Sequence, residues 1–180
     1  MDRHVAFLRG VNLGAKRRVS GEQLRAIFAD VGFEEVATFR ASGNVVFDAG
    51  DTKGEEGIVT RTEAGLGEAL DFEVRVVLRS QREVAAIAAR EPFDADVVAT
   101  TEGRLQVLLL AQKPSASVRK RVLALATDDD RLAIHGRELY WLPRAGMSNS
   151  ELDLGTVEAQ LGLATMRTKG TIEQIAAKYF

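Results

Sequence analysis

The chain has 180 residues, 46% of them hydrophobic and 28% charged, with a net charge of −2 and no cysteine. A chain of this size buries roughly 70% of its unfolded surface and suits one domain or two small lobes. The composition is that of a soluble globule, and it excludes a disulfide framework, a thiolate metal site and a thiol nucleophile.

No apolar run approaches the ~20 residues of a membrane span, and Met1-Asp2-Arg3-His4 leads into no signal-peptide core, so a cytoplasmic location is expected. Val5-Ala6-Phe7-Leu8 reads as a buried strand. It runs into Arg9-Gly10-Val11-Asn12-Leu13-Gly14-Ala15-Lys16-Arg17-Arg18-Val19-Ser20, a strand-to-helix turn rich in glycine and cations. Glycines let the backbone reach φ > 0 and turn its amides outward, and a helix N-terminus adds partial positive charge, so the turn suits an anion. It is neither a Walker loop, lacking the Gly-Lys-Ser/Thr ending, nor a Gly-x-Gly-x-x-Gly. A tight turn with solvated basic residues accounts for the same stretch, and both readings stand.

Ser20-Gly21-Glu22-Gln23 matches a capping box, after which Leu24, Ile27, Phe28 and Val31 share one helical face up to Gly32. Residues 36–40 and 44–48 are β-branched and aromatic, joined by Ala41-Ser42-Gly43 as a hairpin. A helix over 55–70 turns Ile58, Thr62, Leu66 and Leu70 inward. Its Gly57, Gly65 and Gly67 each lower helix propensity by about 0.5–1 kcal/mol, so it must lean on packing. Residues 74–78 close the half as a strand. The order β-α-β-β-α-β is the split-βαβ pattern of a ferredoxin-like lobe.

Ser80-Gln81-Arg82-Glu83 is a second capping box, opening a short helix that ends before Pro92. Residues 92–103 read as the connection between lobes, and the first pattern then returns. A strand is expected at 105–110, a helix at 114–126, a turn at Asp128-Asp129-Asp130, and a hairpin from 132–134 and 139–142 through His135-Gly136-Arg137. Ser148-Asn149-Ser150-Glu151 predicts a capped helix start, residues 163–167 a short strand, and Thr171-Ile172-Glu173-Gln174 the cap of a terminal helix. The expected fold is α+β: two ferredoxin-like βαββαβ lobes, a duplication, plus a C-terminal helix. The expected divisions are a first lobe over 1–79, a connecting helix and loop over 80–103, and a second lobe with its helix over 104–180.

Charge is uneven. Residues 9–25 carry five cations against Glu22, a net +4, while residues 48–73 carry eight acids against Lys53 and Arg61, a net −6. A phosphate polymer would meet repulsion as well as attraction, which argues against nucleic acid as a partner. Tyr140 and Trp141 point to opposite faces of one strand and no basic-aromatic string occurs, so an RNA-stacking sheet is not supported. His4 starts a strand and His135 sits at a hairpin tip, both read as solvated, and neither has metal-ligand spacing. No Gly-x-Ser-x-Gly elbow and no acid–base carboxylate pair stands out, so nothing compels catalysis; no metal and no cofactor is expected.

Phe7-Leu8-Arg9-Gly10-Val11-Asn12-Leu13-Gly14, then Ser42-Gly43-Asn44-Val45-Val46-Phe47, then Tyr140-Trp141-Leu142-Pro143 with Gly146, Ser150 and Leu152 form a set of motifs. With Thr165-Met166-Arg167 and Thr171 they make the chain resemble the uncharacterised bacterial family called domain of unknown function 1697. It departs from that pattern at Ala15 and at Thr168-Lys169-Gly170. The resemblance implies a two-lobed α+β fold and carries no activity with it.

Two functional readings stay open. In the first, Arg9, Asn12, Gly14, Lys16, Ser42 and Asn44 form a site for a small, for example phosphorylated, anion, joined by Ser150 and Arg167 if the lobes close. In the second, those residues only fix turns in a structural or protein-interaction protein.

Overall fold

The computed structural model describes residues 3–14, 17–40, 43–52 and 54–180. The first half runs β1 (Arg3–Arg9), α1 (Gly21–Asp30), β2 (Glu34–Thr38), β3 (Asn44–Asp48), α2 (Glu55–Ala69) and β4 (Arg75–Ser80). Its four strands form an antiparallel sheet in the order β2-β3-β1-β4, with β1 central. Alternation along the strands turns Ala6, Leu8, Val45, Phe47, Val76 and Leu78 into one core with Leu24, Ile27 and Phe28 of α1 and Ile58 and Leu66 of α2. Phe28, Phe33 and Phe47 meet there at centroid distances of 4.6–5.9 Å. The opposite face is buried as well, at Val5, Phe7, Val46, Val77 and Arg79.

α1 begins at its expected capping box: Gln23 N–H donates to Ser20 Oγ at 3.1 Å and Ser20 N–H to Gln23 Oε1 at 2.8 Å. In α2 the glycines divide by role. A Cβ on Gly65 would stand 2.2 Å from Val31 Cγ1, so only glycine lets α2 lie this close to the end of α1. A Cβ on exposed Gly67 would meet nothing within 4 Å.

The second half runs α3 (Gln81–Ala88), α4 (Ala95–Ala99), β5 (Gln106–Leu110), α5 (Ala116–Leu123), β6 (Asp130–His135), β7 (Glu138–Pro143), α6 (Leu154–Leu161), β8 (Ala164–Thr168) and α7 (Lys169–Tyr179). Its sheet repeats the order of the first, β6-β7-β5-β8, again antiparallel. Leu108, Leu110, Val122, Ile134, Leu139, Val157 and Ala164 form its core. The chain divides into two units, one of residues up to Val84 with Lys178–Phe180, the other Ala85–Ala177. Within the first unit, the Tyr179 hydroxyl donates to Thr38 O at 3.2 Å and Arg3 Nη1 to Tyr179 O at 3.0 Å.

Helix starts that depend on distant partners depart from expectation. A single 3₁₀ turn, Met147–Asn149, stands where a capped helix was expected, and α6 begins later. Its cap is Asp153, whose Oδ1 accepts from Thr156 N–H at 3.1 Å. Just after the turn, the Ser150 hydroxyl donates to Asp130 Oδ1 at 2.6 Å. The terminal helix likewise starts earlier than Thr171. β8 passes straight into α7, Thr168 Oγ1 accepts from Thr171 N–H at 3.2 Å, and Thr171 lies inside the first turn. Asp130, read as a turn residue, is the first residue of β6 and is buried. Residues 92–103, read as plain connection, contain α4.

Gly65→Ala is expected to destabilise the protein by about 1–3 kcal/mol through overpacking against Val31, whereas Gly67→Ala should stabilise it by about 0.5–1 kcal/mol through helix propensity. Urea unfolding of the two variants, followed by circular dichroism, checks both signs.

Candidate functional site

The loop after β1 is built by backbone conformations that favour glycine. Gly10, Asn12 and Gly14 have φ of 97°, 57° and 69°, and a Cβ on Gly10 would lie 2.9 Å from Glu73 O. Asn12 closes the loop on itself: its N–H donates to Arg17 O at 2.5 Å and its Oδ1 accepts from Val19 N–H at 3.1 Å. Asn44 is fully buried at the start of β3, opposite Phe7, and its Nδ2 donates to Phe39 O at 3.0 Å across the hairpin. Gly43 O accepts from Leu8 N–H at 2.8 Å, and a Cβ on Gly43 would sit 2.6 Å from Val11 Cγ2, so hairpin turn and loop pack together. Arg9 and Asn44 therefore share one end of the sheet. Lys16 and Ser42 lie outside the described residues.

Ser150 and Arg167 belong to the second unit. Asp130 Oδ1 accepts from both Ser150 Oγ at 2.6 Å and Trp141 Nε1 at 2.7 Å, and Ser150 Oγ accepts from Leu152 N–H. Arg167 Nη1 donates to Thr165 Oγ1 at 2.9 Å and Met166 O at 2.7 Å. Arg167 keeps some exposed surface, but desolvation by the surrounding protein lowers its guanidinium to about 10, so it stays charged at neutral pH. His135 ends β6; burial first, then the Arg90 and Arg119 charges, hold its imidazole below the usual value. Tyr140 and Trp141 are both buried, which removes either as an exposed stacking platform.

A cavity of about 650 Å³ opens at the opposite end of the first sheet from the Arg9 loop, within the roughly 300–1,000 Å³ of small-molecule sites. Four segments meet there. His4, near the start of β1, faces Phe47 on one side and Ser80 on the other in the strand register. Ser80 ends β4 and caps α3: its N–H and Oγ donate to Glu83 Oε2 at 2.9 and 3.0 Å, and Glu83 N–H donates to Ser80 Oγ at 3.3 Å. The β3–α2 connection brings Ala49 and Thr52, and the start of α2 brings Gly54, Glu55 and Ile58. Leu78, Ala49 and Ile58 make the floor apolar.

His4 carries the main anomaly. Its Nδ1 is fully buried with no hydrogen-bond partner, and its ring lies 6.1 Å from that of Phe47. Leaving such a group unsatisfied costs about 1–3 kcal/mol, so this nitrogen lowers the stability of the lobe. Reading the sequence had set His4 aside as solvated, and no local pattern marks it otherwise.

The second sheet differs at the same place. Its register puts Gln106 between Trp141 and Thr168, where the first sheet puts His4 between Phe47 and Ser80. Gln106 Nε2 donates to its own neighbourhood at Arg104 O, 2.8 Å, and Trp141 is tied down by Asp130. A smaller hollow of about 230 Å³ in this unit is lined by residues including Thr100, Arg131 and Arg144. Among the described residues no group of histidines and carboxylates is placed to hold a metal ion, and no helix is long and apolar enough to cross a membrane.

These features define an α+β protein of two four-stranded antiparallel sheets, with a ligand-sized cavity in the first lobe. The chain belongs to the family described as Protein of unknown function (DUF1697), whose family model matches residues 1–140 and so includes every residue of that cavity. Its fold is similar to that of the conserved bacterial protein SP0830 from Streptococcus pneumoniae, with a TM-score of 0.72 and 21% identity over 98% of this chain and 97% of that one. No curated protein matches the chain.

Asp130→Ala should destabilise the protein by about 1–3 kcal/mol, because the Trp141 indole N–H loses its buried acceptor. Trp141 is the single tryptophan, so a red shift of native-state fluorescence, read beside the unfolding midpoint, checks the local loosening directly.

Proposed function

We propose that the chain is a cytoplasmic protein that binds a small polar ligand in the first-lobe cavity. The observation that carries this reading is a void of ligand size at one end of the sheet, with His4, Ser80, Glu55 and Glu83 around an apolar floor. The polar side chains orient a ligand, and the apolar floor of Ala49, Ile58 and Leu78 adds contact area. The lobe that holds the site is, on this reading, ferredoxin-like: order β2-β3-β1-β4, with helices after the first and third strands, is what a split βαβ produces. α1 and α2 pack into the same core, and the start of α2 lines the cavity.

A second reading keeps the small anion at the Arg9–Gly14 loop. It is favoured by Arg9, Asn12, Gly14 and Asn44 gathering at one sheet end, beside the exposed Arg17 and Arg18. Both Asn12 and Asn44 already hold backbone groups, so this loop has fewer side-chain donors to offer than the sequence suggests.

The cavity reading predicts a trade of stability for binding. Replacing His4 by phenylalanine keeps a ring and deletes the unsatisfied nitrogen, so His4→Phe should leave the ligand-free protein as stable as wild type or up to about 1 kcal/mol more stable. The same variant should lose the thermal shift that a matching ligand gives the wild type. A His4→Phe protein destabilised by more than about 1 kcal/mol would show that His4 is a structural residue.

A further inference from the structure

We propose that the hollow of the second unit is a site for a small α-amino acid, bound as its zwitterion. Charges of both signs line it, Asp128 against Arg131 and Arg144. Asp128 and Arg131 do not pair with each other, and among the described residues neither side chain has another partner. Arg144 Nη1 stands 3.6 Å from Asp129 Oδ1 with both side chains mostly exposed, a contact that leaves most of its five donors uncommitted. Opposite charges that line one void without meeting leave room for a ligand that carries both. The volume, about 230 Å³, lies below the roughly 300–1,000 Å³ of drug-sized ligands and suits a molecule of few heavy atoms.

The remaining lining sorts by what it can offer. Thr100 Oγ1 donates to Asp96 O at 2.9 Å and Val97 O at 3.2 Å, and Thr101 Oγ1 donates to Val97 O at 2.7 Å. Both hydroxyl protons are engaged by carbonyls of α4, so each oxygen is left as an acceptor. With the Asp128 carboxylate they form an acceptor set for an ammonium group, which brings three donors. The guanidinium groups of Arg131 and Arg144 supply donors in the paired geometry that a carboxylate accepts. Val97 and Leu142 add apolar surface for a short side chain.

Backbone contacts fix these walls. Arg131 and Leu142 are cross-strand partners in β6 and β7. Asp130 N–H donates to Thr127 Oγ1 at 2.9 Å, closing the turn that carries Asp128. Arg144 N–H donates to Asp129 O at 2.7 Å, and Arg144 O accepts from Glu102 and Gly103 N–H, both at 3.2 Å. A Cβ on Gly103 would stand 1.7 Å from Pro143 O, so the chain after α4 lies directly against the end of β7. A simple anion leaves Asp128 as an opposing charge, and a simple amine leaves two guanidinium groups opposing it. A molecule with both charges answers the whole lining.

The experiment is isothermal titration of the full chain with L-alanine and L-valine, and with the two halves of valine, 3-methylbutanoate and 2-methylpropan-1-amine. The expected result is saturable binding of an amino acid, with each half-ligand bound about tenfold or more weakly, since each lacks one charged contact. Arg131→Gln and Asp128→Asn should each weaken the amino acid by about tenfold or more. Unchanged circular dichroism and melting of both variants exclude a folding defect, and the half-ligand comparison needs no variant. Binding of 3-methylbutanoate or of the amine as tight as that of valine overturns the zwitterion assignment. Amino-acid binding untouched by both substitutions, or lost in His4→Phe, places the ligand elsewhere and overturns this site. Absence of saturable binding by either amino acid at millimolar concentration overturns it as well, and leaves the first-lobe cavity to be decided by its own measurements.

Discussion

The central position of β1 governs the first lobe. As the strand between β3 and β4, it has both edges paired, and its register is locked on each side by alternating buried residues. A one-residue slip would drive Ala6 and Leu8 out of the helix-facing core, so the pairing is strongly specified. Its two ends are therefore set apart by strand geometry, with His4 and Arg9 about 17 Å from one another at ~3.4 Å per residue. Everything of functional interest in this lobe sits at one or other of those ends. The Arg9 end is filled: Gly43 packs on Val11, Asn12 closes its loop, and Asn44 bridges its hairpin. The His4 end is left open.

The second sheet shows how the same end looks when filled. A tryptophan stands where the first sheet has Phe47, and one buried carboxylate, Asp130, accepts from both Trp141 and Ser150. A buried carboxylate needs such donors, and the chain after β7 is held in place to supply one. The 3₁₀ turn Met147–Asn149 leads into that serine, and the next helix is capped by Asp153. Beneath this divergence the two sheets share an arginine. Arg79 and Arg167 are each the penultimate residue of the last strand of their sheet, opposite Val5 and Val107, and each donates Nη1 to the preceding carbonyl at 2.7 Å. Residue identity between the halves is negligible, yet strand, arginine, capping hydroxyl and helix recur in order at both sites.

A buried histidine nitrogen without a partner is opposed by the rest of this lobe's construction, in which polar groups are paired over short distances. His4 is anchored by a strand paired on both sides, Ser80 and Glu83 by a capping box, and Glu55 and Ile58 by a helix that Gly65 lets lie close to α1. Most of the lining is thus carried by regular elements, which position side chains better than loops do, and the β3–α2 connection supplies Ala49, Gly50, Thr52 and Gly54.

Local features were legible in the sequence because their causes are local. The capping boxes at Ser20 and Ser80 join residues three apart, the hairpin strands alternate with a period of two, and the β-α-β-β-α-β order needs no knowledge of packing. The close grouping of Arg9 with Asn44 also follows, since antiparallel neighbours meet at opposite chain ends. The helix start after β7 was not legible: the local pattern offers Ser148 as the cap, and the folded chain uses Asp153, whose Oδ1 accepts from Thr156 N–H. Nor was the cavity. Its walls come from the start of β1, the β3–α2 connection, the end of β4 and the start of α3, and a void is defined by what neighbouring side chains fail to fill. Chain order and periodicity determined which elements form and which way they run; packing alone decided that one end of one sheet would close over its polar groups and the other would leave a cavity.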